Sequence, residues 1–373
     1  DSDAPGPDRG SPLPDGRGSE GTPHTRSQTP ATLPGNFPAF TTTQPASAAE
    51  WDQRRVDLRR TLWRLLGKLP PTFVPKATTI ERQARDGCII EKFSFDNGAG
   101  DTVFGYLVLP TGRSGRGPAI LYHHYHTSQA RVGKEELITP SLGAMPGLVP
   151  GEALARAGYV VMCIDAYGFG QRRFDGPGGE KENGNQTEES LFKMFLWQGR
   201  SLWGMTVRDD ILALNCLSGR PEVDPARVGA MGFSKGATRT WWLAALDDRV
   251  RAAVSVGCLT RYQTLLARGG LRFHSIDYFV PGVLAEGIDA EAIVGLIAPR
   301  PHLTLTGESD EGSPVEGVRT INRFQEDLYR LYGHPEAFRG IIYPDTGHAF
   351  TTEMWQETLQ WLQRHLATRY NHP

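Results

Sequence analysis

The sequence has no long hydrophobic run. Its longest apolar stretches are short, as at 159–164, far below the roughly 18 consecutive apolar residues of a membrane-spanning helix. It also lacks a surplus of either charge. Forty Lys plus Arg against 42 Asp plus Glu leave a net charge of −2, which argues against a nucleic-acid binder or a polybasic membrane-surface protein. Cysteine is scarce. Cys88, Cys163, Cys216 and Cys258 stand far apart and form no CxxC pair, so neither a zinc motif nor a redox motif is supported, and buried thiols are expected instead. There is no internal repeat. Hydrophobic residues at 39% and charged residues at 22% of 373 describe a globular chain able to bury a large core.

Residues 1–48 read as a disordered tail. Nine prolines and six glycines fall within the first 45 residues, and such a segment buries too little apolar surface to offset its ordering entropy. The chain begins at Asp1, not Met. With the Pro-rich start this suggests a secreted or periplasmic protein, a cytoplasmic one being the alternative.

Residues 49–373 read as one α/β domain. Leu58, Leu62, Leu65 and Leu66 follow helical spacing, and two strands are expected at 89–95 and 102–109. From Pro118 onward, short unbroken apolar runs alternate with helical stretches. The runs are 119–122, 160–164, 228–231, 253–256, 303–305 and 341–342. Strands buried on both faces read this way, and their alternation with helices implies a mainly parallel sheet with helices on both sides. Two stretches, about 168–204 and 259–283, interrupt the alternation. Insertions after strand carboxyl ends lie over the ligand crevice of such a sheet, so both are expected to wall a pocket.

The strongest local signal is Gly232-Phe-Ser-Lys-Gly236, between an apolar strand and a helical run. GxSxG at that turn presents a serine on a tight bend, with glycines allowing close backbone approach. Ser234 is therefore the candidate nucleophile. It needs a base on a late loop after a strand, and His348 sits in such a loop, with Gly347 before it and a helix after it. The acid between them is expected at Asp310, after the 303–305 strand. Glu308 lies closer to that strand, and Asp345 more plausibly bonds its own turn. In this order Ser234 attacks a carbonyl, His348 relays the proton and Asp310 orients the imidazole.

An oxyanion needs two donors. The backbone N–H groups of Lys235 and Tyr125 are the candidates. His123, His124 and His126 invite a metal reading, but alternation along a strand spreads their side chains over two faces, and no acidic or cysteine partner clusters with them. No metal or cofactor is expected. His124, Tyr167 and Trp203 are candidate substrate-binding residues. Trp197, Tyr262 and Tyr278 have the ring size to stack on sugars, though packing of the insertions explains them equally well. Arg172 and Arg173 suit either an acidic substrate or a solvated loop.

Together, Pro221-Glu-Val-Asp-Pro225, the GFSKG turn, Ile297-Ala-Pro-Arg-Pro301 with Gly307-Glu-Ser-Asp310, and the GHAF around His348 resemble α/β-hydrolases of the dienelactone hydrolase and acetyl xylan esterase type. The resemblance runs from about Trp51 to Leu366. It implies the α/β-hydrolase fold and ester hydrolysis through an acyl-serine on Ser234, Asp310 and His348, with short-acyl or carbohydrate-linked esters as substrates. Three features depart from that pattern. Ser234 replaces the cysteine nucleophile of dienelactone hydrolases themselves. His124-Tyr125 stands where His-Gly is usual. The segment Asp165 to Arg173 lacks the Arg-Gly-Gln common in sugar-acetate esterases. A serine peptidase of the prolyl-oligopeptidase kind shares the fold and triad, but 49–115 is too short for a propeller domain. A non-catalytic binding protein on the same fold is the third reading.

Overall fold

The computed structural model describes residues 32–367 apart from 128, 129, 141, 143 and 144. The first 31 residues of the expected tail lie outside the described residues. The rest of that tail corrects the expectation. Two short antiparallel strands, β1 (Thr32–Leu33) and β2 (Phe37–Pro38), open it. Beyond them the Phe40 N–H donates to Gln263, the Thr42 hydroxyl to Glu291 and the Gln44 amide to the Phe324 carbonyl. Composition hid this, because the segment is held by polar bonds to distant elements and not by apolar periodicity.

Ser47 caps α1 (Ala48–Leu66), its hydroxyl accepting from the Glu50 N–H. Three antiparallel strands follow: β3 (Thr78–Arg85), β4 (Cys88–Asp96) and β5 (Thr102–Pro110). The sequence Thr-Thr-Ile-Glu-Arg-Gln-Ala-Arg of β3 is polar and almost wholly exposed. It has no periodicity to betray it, and its pairing with β4 makes it a strand. β6 (Gly117–His123), α2 (Pro150–Arg156) and β7 (Val160–Ile164) begin the parallel part. The first insertion carries α3 (Gly184–Trp197), closed at its start by an Asn183/Gln186 capping box. Then come α4 (Leu202–Ser218), β8 (Val223–Phe233), α5 (Lys235–Leu246) and β9 (Ala252–Val256). The second insertion carries α6 (Tyr262–Ala267) and two 3₁₀ turns, Gly270–Phe273 and Ile276–Tyr278. α7 (Ala290–Gly295), β10 (His302–Gly307), α8 (Val315–Leu331), β11 (Phe338–Tyr343) and α9 (Thr352–Leu362) follow, with a π-helical turn, Gln363–Ala367, as the last element among the described residues.

Among the described residues, nine strands form one sheet in the order β11-β10-β9-β8-β6-β7-β5-β4-β3. The run from β11 to β7 is parallel. Every residue of β6, β7, β9 and β10 is buried, as strands covered on both faces require. Alternate side chains feed two cores. Ala119 and Leu121 of β6 pack with α1, α4, α7 and α8 on one face, and Ile120 and Tyr122 pack with α2 and α9 on the other. All six parallel strands deliver their carboxyl ends to one rim, and both insertions cover that rim.

A buried ion pair joins α4 to α5. The Arg239 guanidinium donates to both oxygens of Asp210 at 3.1 and 2.5 Å, and both residues are wholly buried. A lone buried carboxylate costs far more than a paired one. Arg239→Met is therefore expected to lower unfolding stability by roughly 3–5 kcal/mol, measured by urea denaturation. Arg239→Met/Asp210→Leu should regain part of that loss.

Candidate active site

Ser234 sits between β8 and α5 with φ 58° and ψ −122°, a backbone conformation that a β-carbon disfavours. Two glycines make the bend possible. A β-carbon on Gly236 would stand 2.0 Å from the His123 carbonyl oxygen, and one on Gly232 would stand 2.5 Å from the same atom. Strand β6 and the first turn of α5 therefore touch backbone to backbone. Ala in place of a helical Gly ordinarily gains about 1 kcal/mol. At this contact the sign reverses, and Gly236→Ala is expected to lose roughly 1–3 kcal/mol, read as a lower Tm.

The parallel pairing of β10 with β11 brings two loops side by side. The Ser309 N–H donates to the Thr346 carbonyl at 2.9 Å, and a β-carbon on Gly307 would meet the Gly347 oxygen at 2.3 Å. Asp310 and His348 ride on these loops. The Ser234 hydroxyl donates to His348 Nε2 at 2.8 Å, and His348 Nδ1 donates to Asp310 Oδ2 at 2.7 Å. Asp310 is buried, and its other oxygen accepts from the Gly312 N–H. The His348 imidazole is 40% exposed and stacks on Phe233, with centroids 4.9 Å apart. Gly257, at φ +66°, faces its Cε1 atom; a β-carbon there would sit 3.3 Å away. The two alternatives for the acid stand elsewhere: Glu308 is engaged by Arg319 at 2.7 Å, and Asp345 occupies a left-handed turn.

The Lys235 N–H opens α5 beside the serine, one of the unsatisfied donors of a helix start. Tyr125 is a correction. Its N–H donates to Glu136 Oε2 at 2.7 Å, while the Tyr122 hydroxyl donates to Oε1 at 2.5 Å. The loop after β6 is thus folded onto the 3₁₀ turn Lys134–Leu137, and that N–H is spent on a carboxyl group. Burial pushes Glu136 up to about 8, against the lowering by those two donors. The folded protein then holds a proton between pH 4.5 and 8 that the unfolded chain has lost. Stability relative to Glu136→Gln should fall across that window by up to about 1.4 kcal/mol per pH unit, in urea titrations at pH 5, 6, 7 and 8.

The three proposed substrate contacts also lie elsewhere. His124 is wholly buried; one ring nitrogen meets the Tyr125 carbonyl and the other accepts from the Ala166 N–H. Burial and the Arg239 charge hold it neutral, well below the usual imidazole value. Tyr167 stacks on Arg172 and its hydroxyl accepts from Asn97, in a different cavity. Trp203 is fully buried against Trp242 and Tyr278. Arg172 is neither solvated nor ligand-facing. It is buried, paired with Asp101 and with Asp209 at 3.0 Å. The histidine run does not converge either: His123 is buried on Thr240, held neutral by burial at about 3, and among the described residues no three His, Cys, Asp or Glu gather as a metal site.

The structure reveals a cluster that the sequence reading passed over. The Lys235 ammonium is buried and bonds Glu188 of α3 at 3.0 Å and Asp277 of the second insertion. Burial alone would raise the Asp277 carboxyl; the Lys235 and His126 charges outweigh it and hold it below its ordinary value. Glu188 also accepts from His126 at 2.8 Å. The lysine was visible in GFSKG, but nothing in sequence says which anions reach it. Ser234, Asp310, His348, His126, Glu188 and Lys235 all line one polar cavity of about 810 Å³. A strained serine, a half-exposed imidazole and a buried carboxylate in line make a nucleophile–base–orienter arrangement.

This sheet, with a serine at a strand-to-helix turn and an imidazole on a late loop, is that of the α/β-hydrolase superfamily. Residues 150–266 match the dienelactone hydrolase family. YtaP of Bacillus subtilis, assigned as a hydrolase, is 34% identical over 84% of this chain and all of its own length. A Bacteroides fragilis protein assigned as an acetyl xylan esterase superposes with a TM-score of 0.64 at 19% identity, covering 89% of this chain and 87% of that one. A glucuronoyl esterase from Solibacter usitatus gives 0.59 at 15% identity, over 91% and 98%. The chain belongs to the dienelactone hydrolase family.

Proposed function

We propose that the chain hydrolyses carboxylic esters through an acyl-serine intermediate. The observation that supports this is the Ser234–His348–Asp310 line at 2.8 and 2.7 Å, at a strained turn open to a cavity. Ser234 Oγ attacks the ester carbonyl while its proton passes to His348 Nε2. The C–O bond then breaks, and the leaving alkoxide takes that proton from the imidazolium and departs as the alcohol. Water attacks the acyl-serine, gives a proton to His348, and the acid leaves as Ser234 recovers its proton. Asp310 accepts from Nδ1 throughout and stabilises the transient cation. The Lys235 N–H donates to the oxyanion.

The cavity around His348 also presents Asn185, Glu189, Arg272 and Glu311. Polar side chains of both signs suit a hydroxyl-rich alcohol. We therefore assign a carbohydrate-like alcohol to the leaving side, in line with the names of the structural neighbours.

Ser234→Ala is expected to lower kcat on p-nitrophenyl butyrate by roughly 10⁴- to 10⁶-fold with Tm unchanged. A fluorophosphonate should label the wild type at one site and the variant at none. Substantial turnover by the variant overturns the proposal.

A further inference from the structure

A second cavity, of about 250 Å³, adjoins the polar one. Its walls are apolar: Trp241 from α5, Tyr262, Leu265 and Leu266 from α6, and Val280 and Leu284 from the second insertion. Phe37, from the N-terminal strand pair, closes one side. Cys258, His274, Tyr278 and Phe279 line both cavities. The two spaces therefore meet at Cys258, whose Sγ lies 3.8 Å from Ser234 Oγ.

Chemistry assigns the two sides of an ester to the two cavities. The leaving oxygen must receive its proton from His348, so the alcohol occupies the cavity that His348 lines. His348 lines the polar cavity and is not among the residues of the apolar one. The acyl group, still bonded to Ser234 when the alcohol has gone, extends the other way, past Cys258. A cavity of about 150 Å³ lined by aliphatic side chains takes up benzene. One of 250 Å³ exceeds what an acetyl group fills, and an acetyl ester would leave its apolar walls uncovered.

Resting on the acyl-serine reading, we propose that the apolar cavity is the acyl site and that the acyl group is an apolar one well above acetyl in size. A straight chain of six to eight carbons and a phenylpropanoyl group share this chemistry. The wall from α6, the second insertion and Phe37 sets the length.

The test measures kcat/KM on p-nitrophenyl acetate, butyrate, hexanoate, octanoate and 3-phenylpropionate. Each buried methylene is worth about fourfold, so hexanoate should exceed acetate by at least about tenfold. The phenylpropionate value tells whether the pocket prefers a ring or a chain. A second pair fixes the direction: ethyl hexanoate and hexyl acetate are isomers with the ester reversed, and ethyl hexanoate should be the better substrate by pH-stat. Leu266 and Leu284 are partly exposed wall residues. Leu266→Trp and, independently, Leu284→Trp should cut hexanoate turnover at least about tenfold more than acetate turnover. Acetate equal to or better than hexanoate, hexyl acetate preferred, or equal losses on both esters in the Trp variants each overturn the acyl-site assignment while ester hydrolysis stands. No turnover of any ester by folded protein overturns the acyl-serine reading, and this proposal with it.

Discussion

A buried ammonium governs the geometry of the rim. Lys235 follows the nucleophile directly, and its side chain lies in the protein interior, over the face of Phe169 at 3.9 Å. A charge removed from water is tolerable only when paired and hydrogen-bonded. Its partners come from both insertions, Glu188 from the first and Asp277 from the second. The two insertions are thereby tied to the residue beside Ser234, and the cavity between them takes its shape from the elbow. His126 joins through Glu188, so the loop after β6 is bound into the same network. Rigid placement of this kind is what lets positioned groups act without reorganising.

The parts that the sequence made legible are those set by backbone rules. An unbroken apolar run means a strand covered on both faces, and β6, β7, β9 and β10 follow that rule. Ser234 was readable because a strand, two glycines and a helix fix its position within one turn. Asp310 and His348 were readable because loops after parallel strands share a rim. What sequence does not encode locally is side-chain direction after a strand ends. His124 and His126 are two residues apart in identical-looking surroundings; one ring is buried on the Ala166 N–H and the other opens on the cavity. Tyr125 looked like an oxyanion donor because of its place in the loop. Glu136, eleven residues later in a stretch without period, takes that N–H. Trp203 and Tyr167 failed similarly, since both rings pack inward, while Trp197 in the same region stands exposed.

The two cavities beside Ser234 differ in character because they are built from different material. Loops after β10 and β11, α3, and Arg272 and His274 of the second insertion supply charged and polar groups. The second insertion, α6 and the middle of α5 supply aliphatic and aromatic ones. Cys258 stands at the join in a left-handed conformation, its thiol pushed up to about 12 mainly by burial. It is thus a neutral, compact divider next to a nucleophile, unable to compete as a thiolate at physiological pH.

The order of these groups along the chain has a consequence during synthesis. Ser234 precedes His348 by 114 residues, which a ribosome adds in roughly 6–23 s. Through that interval the serine lacks its base, and for the first 76 residues of it the acid Asp310 is missing as well. A nascent chain therefore carries a chemically inert hydroxyl, and reactivity switches on only when the last strand and the loop behind it have left the ribosome.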